Sequence, residues 1–480
     1  MTGRSDLDAV VVGAGPNGLA AALTLARAGR SVRVYEAADT IGGGTRTQEL
    51  TLPGFRHDVC STILPLTVGS PFFRTVDLAA HGVELVHPDA PVAHALDGGR
   101  AVVLERSVRA TGAWFDDAHD AKAWRSLFGP LTRDAGKLSR ELLRPVVHLP
   151  RHPLALARFG LPALWPAVAL ARRQFRGDAA RALFGGLAAH SMVPLTRPLS
   201  ASFGLVLGTY AHAVGWPMVR GGSAAVTDAL AAEVRALGGE IVTSQRIASF
   251  ADLPPARAVL FDTTPTAIAV IAGDRLPART RRRYAGFRYG PGVFKIDWAL
   301  DGPIPWTADG LRRAATVHLG GTLEELRASE AAVAAGRHAE RPFTLVVQYH
   351  PWDPTRAPAG GTTAWAYCHV PNGSDLDMTG AIEAQMERFA PSFRDRVLAR
   401  ATHTALQMEA HDANYVGGDI NAGVSDIRQL LFRPAPMATL DPYHAGPGLY
   451  LCSSSTPPGG GVHGMGGYLA ARSALRRDLR

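Results

Sequence analysis

Between residues 9 and 36 the chain sets out a strand, a glycine turn, a helix, a second strand and an acid, in that order. Ala9-Val10-Val11-Val12 is a short apolar run of the kind buried on both faces in a parallel sheet. Gly13-Ala14-Gly15-Pro16-Asn17-Gly18 follows at once, and Leu19–Ala28 then reads as a helix that stops at Gly29. Ser31–Tyr35 is the next strand and ends in Glu36. Gly13 permits the tight turn, Gly15 lets backbone approach a pyrophosphate, and Gly18 lets helix and strand pack closely. The helix N-terminus offers free N–H groups and a positive dipole to the phosphates. Glu36 is placed to accept hydrogen bonds from ribose hydroxyls. A lone glycine turn would not account for an acid at the end of the second strand. All five parts in order predict a dinucleotide-binding unit.

A second formal match, Gly459-Gly460-Gly461-Val462-His463-Gly464, comes near the C-terminus. It follows the apolar strand Leu449–Cys452 only after the spacer Ser453–Pro458, and the residues up to Arg480 leave room for one helix and no returning strand. It is therefore no second βαβ unit, and one dinucleotide site is expected. At 480 residues the chain has the length of two large domains or three small ones. Its 46% apolar content, with 51 glycines and 34 prolines, excludes disordered and collagenous classes. Cys60, Cys368 and Cys452 are far apart and form no Cys-x-x-Cys, so neither a zinc knuckle nor a redox dithiol is expected. His190, His212, His350 and His369 lack metal-ligand spacing, and no metal is expected. The net charge of +8 is spread thinly, its densest cluster being Arg281-Arg282-Arg283, so no nucleic-acid partner is expected. Met1–Asp8 has no basic leader region, and with few cysteines the expectation is a cytoplasmic protein. Pro153–Ala171 is the most apolar stretch, interrupted by Arg158, Pro162 and Pro166 and flanked by Arg151, Arg172, Arg173 and Arg176. Two readings stay open for it: a buried helix pair kinked by proline, which is favoured, or a segment lying on a membrane surface.

After Glu36 the chain continues with Gly42-Gly43-Gly44-Thr45-Arg46-Thr47 and then Leu52-Pro53-Gly54-Phe55, running on through Asp58 to Ser61. An acid followed closely by paired glycines and an arginine resembles the FAD-binding extension of the phytoene desaturase and amine oxidase superfamily. NAD enzymes of this fold lack that extension. The closer resemblance is to the phytoene dehydrogenase-like branch, which includes the pyridine nucleotide-disulfide oxidoreductase domain-containing proteins. Three further segments carry it: Trp216–Ser223 opening the helix Ala224–Leu237, Arg288–Trp298 in mid-chain, and Gly448–Gly467 near the end. The resemblance implies FAD and an α/β fold: a Rossmann-type, para-hydroxybenzoate-hydroxylase-like FAD-binding domain with an inserted α+β substrate domain and a helical cap. The FAD-binding domain is expected over residues 1–107, 212–285 and 441–480, the cap over 108–211, and an antiparallel substrate sheet over 286–440. Implied cofactor contacts are Gly13, Gly15, Pro16, Asn17, Gly18, Glu36, Gly43, Gly44, Arg46, Ile247, Ser454, Gly461 and Val462. In the family the C-terminal glycine loop and final helix close over ribityl and flavin, and the helix dipole favours the reduced flavin. This chain departs from the family in two places. Ser453-Ser454 replaces the usual Gly-Asp or Gly-Ala, which removes a ribityl–carboxylate bond, and Arg46 stands two residues beyond the usual arginine position.

Three residues are candidates for chemistry, each with a structural rival. His463 lies in the loop expected beside the flavin and would touch substrate or shuttle a proton, unless it simply bonds backbone. Lys295, one of three lysines, lies on a strand near the expected substrate domain, and some flavin oxidases hold a water at flavin N5 with a lysine; pairing with Asp297 or a surface role is its rival. Asp419, after Gly417-Gly418, contacts substrate or is turn chemistry. Trp298, Tyr349, Trp365 and Tyr367 are an aromatic wall or core. The expected reaction moves a hydride from a C–H bond of an apolar, isoprenoid, polyene-like or secondary-metabolite substrate to flavin N5, with loss of a proton. Oxygen, a quinone or another acceptor would reoxidise the cofactor. Amine or porphyrinogen-type oxidation, redox-neutral flavin isomerisation and a non-enzymatic flavin-stabilised interaction protein stay open as alternatives.

Overall fold

The computed structural model describes residues 7–435 and 441–480. Ala9, Val10 and Val11 are fully buried, as a strand covered on both faces must be. Their strand, Leu7–Val12, is central in a six-stranded sheet. Val32–Tyr35 and then Glu240–Val242 lie on one side of it, and Ala256–Phe261, Leu449–Leu451 and His444–Gly446 on the other. Every pairing is parallel except that of the last two strands. The strand Glu240–Val242 does not run on into residues 243–247. Ser244 and Gln245 donate their N–H groups to the Ala38 and Glu36 carbonyls instead of to a ladder.

The helix Pro16–Arg27 begins with proline, which suits the first helical turn, and buries Leu19, Ala20, Ala21 and Leu23. The last helix, Met465–Arg477, lies against it through Ala470, Ala471 and Ala474. The approach is so close that a Cβ on Gly467 would collide with the Asn17 carbonyl oxygen. Residues more than 440 positions apart thus build one layer.

The second sheet has seven strands in the order Val397–His403, Gly292–Leu300, Thr362–Val370, Thr344–Gln348, Ala314–Leu319, Ala90–Leu96, Arg100–Leu104. It is antiparallel apart from the pairing of Ala90–Leu96 with Ala314–Leu319. The expected first stretch of the FAD-binding domain, through residue 107, therefore ends early: from Ala90 the chain already belongs to the second sheet, because Ala90, Ala93, Ala95 and Val103 pack into its core. The boundary expected at residue 440 lies outside the described residues.

Alternation gives this sheet two unlike faces. Phe294, Ile296, Trp298, Ala366 and Cys368 form an apolar core with the helix Thr379–Phe389. Lys295, Asp297, Trp365, Tyr367 and His369 occupy the opposite face. Trp298 thus leaves the expected aromatic wall: it packs on Phe393, and its indole N–H donates to Glu383. Residues 108–213 form a helical cap around Trp124, Phe128, Phe175 and Phe184. In it, Pro153–Ala163 and Ala167–Gln174 meet at 99°. The favoured reading of that pair as buried needs amending, since Ala155, Phe159 and Val168 are buried while Leu154, Leu161, Leu164 and Trp165 are exposed.

Asp58 ties the layers together. Its fully buried carboxylate accepts from Ser223 N–H (2.9 Å), Thr47 Oγ1 (2.7 Å), Thr62 Oγ1 (2.9 Å), Tyr349 Oη (3.1 Å) and Arg356 Nη2 (3.0 Å). Burial alone would raise its pKa, but the Arg356 guanidinium and these hydrogen bonds overcome it and hold the group down at about 2.

Candidate flavin site

A groove opens at the carboxyl ends of the parallel strands, where open α/β sheets receive ligands. It consists of two cavities, of about 110 Å³ and about 340 Å³, that share Gly15, Gly43, Asp262, Thr263, Asp412 and Asn414. The smaller is also lined by Pro16, Asn17, Gly44, Cys60, Tyr415, Ser454, Gly461 and Val462. The larger is also lined by Gly13, Tyr35, Glu36, Arg46 and Ile247. Of the thirteen residues singled out from the sequence as cofactor contacts, all but Gly18 line the groove. Gly18 lies just behind it, donating its N–H to Asp262 Oδ2 at 2.7 Å.

The glycine turn is a cradle that side chains would fill. Gly13 has φ +103°, and a Cβ there would sit 2.8 Å from the Asp262 carbonyl oxygen. One on Gly44 would collide with the Tyr415 hydroxyl. Glu36 accepts from Ala14 N–H (2.8 Å) and Ala38 N–H (2.9 Å), which aims its carboxylate at the groove, and Arg46 Nη2 stands 3.4 Å from it. Among the described residues Arg46 Nε and Ser455 Oγ are buried without a hydrogen-bond partner, and both residues line the groove. Buried polar atoms need partners, and a dinucleotide with phosphates, ribose and ribityl hydroxyls offers them. The residues present fit FAD.

The catalytic candidates are placed less favourably. His463 is buried with both ring nitrogens engaged: Nδ1 accepts from Met465 N–H (3.1 Å) and Nε2 donates to Gly459 O (3.1 Å). Burial lowers its pKa to about 4, leaving a neutral ring that braces the loop. The Asp419 carboxylate accepts from the N–H groups of Gly290, Asn421 and Gly423 and does not line the groove. Burial pushes its pKa up, and those bonds act against the rise. Lys295 is buried 2.5 Å from Asp297 and 5.2 Å from the Trp365 ring centre. Burial works to raise the Asp297 pKa, but Lys295 and His57 together overcome it and lower the value. Of the expected aromatic wall, Trp365 and Tyr367 stack at 5.9 Å.

Sequence reasoning passed over Asp262, Asp412, Asn414 and Cys60. Asp262 carried a usable signal, since it directly follows the apolar run Ala258–Phe261, and ligands gather at the ends of such strands. The other three lie on loops that only the fold brings to the groove.

Fold and groove together are those of a flavin-type oxidoreductase whose residues fit FAD, and the sequence is similar to phytoene dehydrogenases and desaturases. Residues 11–79 match the NAD(P)-binding Rossmann-like domain. Over 99% of its length the chain is similar, at 26% identity, to the pyridine nucleotide-disulfide oxidoreductase domain-containing protein 2 of Rattus norvegicus, covering 94% of that protein. It is 28% identical to the phytoene dehydrogenase of Streptomyces griseus, over 81% of this chain and 77% of that one. A solved structure of putrescine oxidase shares the fold with a TM-score of 0.65 at 18% identity, covering 98% of each chain. An oxidoreductase from Methanosarcina mazei does so with a TM-score of 0.67 at 17% identity, covering 98% of this chain and 100% of that one.

Proposed function

We propose that this oxidoreductase removes a hydride from a C–H bond of an apolar, isoprenoid or polyene-like substrate. The observation that carries the reading is an apolar cluster at the groove: Met192, Val293 and Met408, with Tyr367, Tyr415 and Ile420 packed against them. Tyr415 and Ile420 reach the groove beside Gly44 and Cys60. Bound FAD supplies a two-electron acceptor there. The chain's own contribution is to hold an apolar chain in register and keep water out. Lys295 is paired with Asp297 and His463 is a neutral brace, so neither offers a free cation to the cluster. The phytoene dehydrogenase and hydroxyneurosporene desaturase relatives point the same way.

Amine oxidation is the second reading. It is favoured by Lys295 beneath Trp365 and by the likeness to putrescine oxidase. Anaerobic mixing of the holoenzyme with polyenes and with amines, followed by the visible flavin absorbance, separates the two. Bleaching by polyenes alone supports the proposal, and bleaching by amines alone transfers it to the second reading. Isomerised polyene without bleaching makes the reaction redox-neutral, and no response to either class overturns the dehydrogenase reading. Readmitting oxygen or a quinone to the bleached enzyme then identifies the acceptor.

We further propose a cytoplasmic protein that touches a membrane through its cap. From Leu142 to Gly177 the chain has six arginines and no acid. Leu149 is 90% exposed, Leu154 74% and Leu161 69%, with Leu164 and Trp165 beside them. Exposed leucines among cations suit an anionic bilayer, and an apolar substrate would come from such a phase. Among the described residues no single helix is long and apolar enough to cross a membrane. Co-sedimentation with phosphatidylglycerol vesicles, lost on replacing Leu149, Leu154 and Leu161 by serine, is the expected result. Equal sedimentation of the triple variant removes the proposal.

A further inference from the structure

We infer that Asp262 binds the FAD diphosphate as a neutral carboxylic acid, accepting from Gly18 and donating to phosphate, so that cofactor binding requires a proton on this side chain. The inference rests on FAD as the cofactor. Asp262 follows the strand Ala256–Phe261 and borders both cavities, so its carboxyl sits where the two halves of the groove join. It is wedged into the glycine turn, since a Cβ built on Gly15 or Gly18 would fall 2.9 or 3.0 Å from Oδ2. Gly18 N–H, at the start of the first helix, is its one side-chain hydrogen bond among the described residues.

Two of the groups facing it, Glu36 and Asp412, are of the wrong sign for a carboxylate, and a third is an uncharged thiol. Glu36 comes from the end of the second strand, Asp412 from the loop after the helix Ala405–His411, and the Cys452 thiol from the end of the strand Leu449–Leu451. Arg46, Arg246 and His411 border the same cavity, but among the described residues no ion pair joins any of them to Asp262, and Arg46 leans on Glu36 instead. Burial first, then Asp412 and Glu36, push the Asp262 pKa up to about 8, with only the Gly18 N–H opposing. A diphosphate entering beside it adds more negative charge. An ionised Asp262 would repel that charge at short range in a poorly screened site, whereas a protonated one supplies an O–H donor. Asp262 thus has the geometry to satisfy the helix N-terminus and the cofactor at once. Above its pKa in the empty site, binding takes up one proton from solvent.

The test is FAD affinity from pH 6.5 to 9.5, read by the fluorescence of FAD released from the holoenzyme on dilution, with proton uptake read by calorimetry in buffers of different ionisation enthalpy. Wild-type Kd should be flat at low pH and weaken towards about tenfold per pH unit above about pH 8, with close to one proton taken up there. Asp262→Asn keeps an acceptor for Gly18 and a donor for phosphate, so it should bind FAD within about threefold of wild type at neutral pH, with neither slope nor proton uptake. Asp262→Ala should weaken binding about tenfold at neutral pH. Circular dichroism establishes that the variants fold, and the wild-type slope and proton count decide the matter if they do not. A pH-independent wild-type Kd, an Asn variant that keeps the wild-type slope, or tighter binding by the Ala variant would each overturn the inference. Tighter binding by Ala would make the carboxylate a competitor of the phosphate. A chain that takes up no FAD at any pH removes both the cofactor and this role for Asp262.

Discussion

Asp58 gathers donors from three separate parts of the chain around one carboxylate. Arg356, buried beside it, also bonds Asp353 at 2.8 Å. Asp58→Asn removes the charge that Arg356 is buried to meet, and breaking such a pair costs about 3–5 kcal/mol. The pH dependence has a definite sign. The folded pKa of about 2 lies below the unfolded value of 3.8, so this stability is present above about pH 4 and is lost as pH falls towards 2. Urea titrations should show a large loss for the variant at neutral pH and a shallower acid limb below pH 4. At this scale the sequence was informative where chemistry is local: Gly13, Gly15, Gly18 and Glu36 stand in the order that their roles require. Asp58 looked like any loop acid, because apart from Thr62 and Thr47 its partners lie between 165 and 298 residues away.

The first and last helices are the elements that form the groove's floor and its return wall. Their contact depends on Gly467, where any Cβ would strike the Asn17 carbonyl. Gly467→Val should drive the last helix off the first and pull Gly461, Val462 and Ser454 away from the groove. An overpacking cost of at least about 1–3 kcal/mol is expected, along with lost FAD. A variant that purifies yellow, with unchanged melting temperature, would refute this. The strand and helix assignments were legible because their periodicity is local. The ends were less so: the segment Ser244–Gln245 bonds backbone far away in sequence and so never continues its strand. Alternation likewise separates Lys295 from Trp298, but nothing in the sequence says which face looks at the cofactor.

Across the whole molecule, four buried histidines and the half-buried His190 share a lowered pKa. Burial lowers the pKa of His94, His212 and His463 to about 4 and of His190 to about 3, and it lowers His318 as well, helped by His190 and His94. With the unfolded value near 6.5, their stabilising effect is present above pH 6.5 and is lost as pH falls towards 4, because unfolding then takes up protons. Asp262 acts oppositely: its raised pKa means that stability is lost as pH rises from 3.8 to about 8. Asp419 shares that sign, but the five rings outweigh these acids between pH 6.5 and 4, so the urea midpoint should drop steeply over that range. A midpoint constant from pH 7 to 4.5 would show that these rings are charged in the fold.

The sequence by itself determined one dinucleotide site, its glycine cradle and ribose acid, the absence of a redox dithiol, and a resemblance that makes the dinucleotide FAD. These follow from short-range order, in which turn, helix start and strand end are neighbours along the chain. Only the tertiary structure decided that His463 and Asp419 are tied up by backbone and that Lys295 is locked to Asp297. It alone placed Asp262 against the helix N-terminus between Glu36 and Asp412. Those outcomes depend on burial and on charges hundreds of residues apart, which exist only once the chain has folded back on itself.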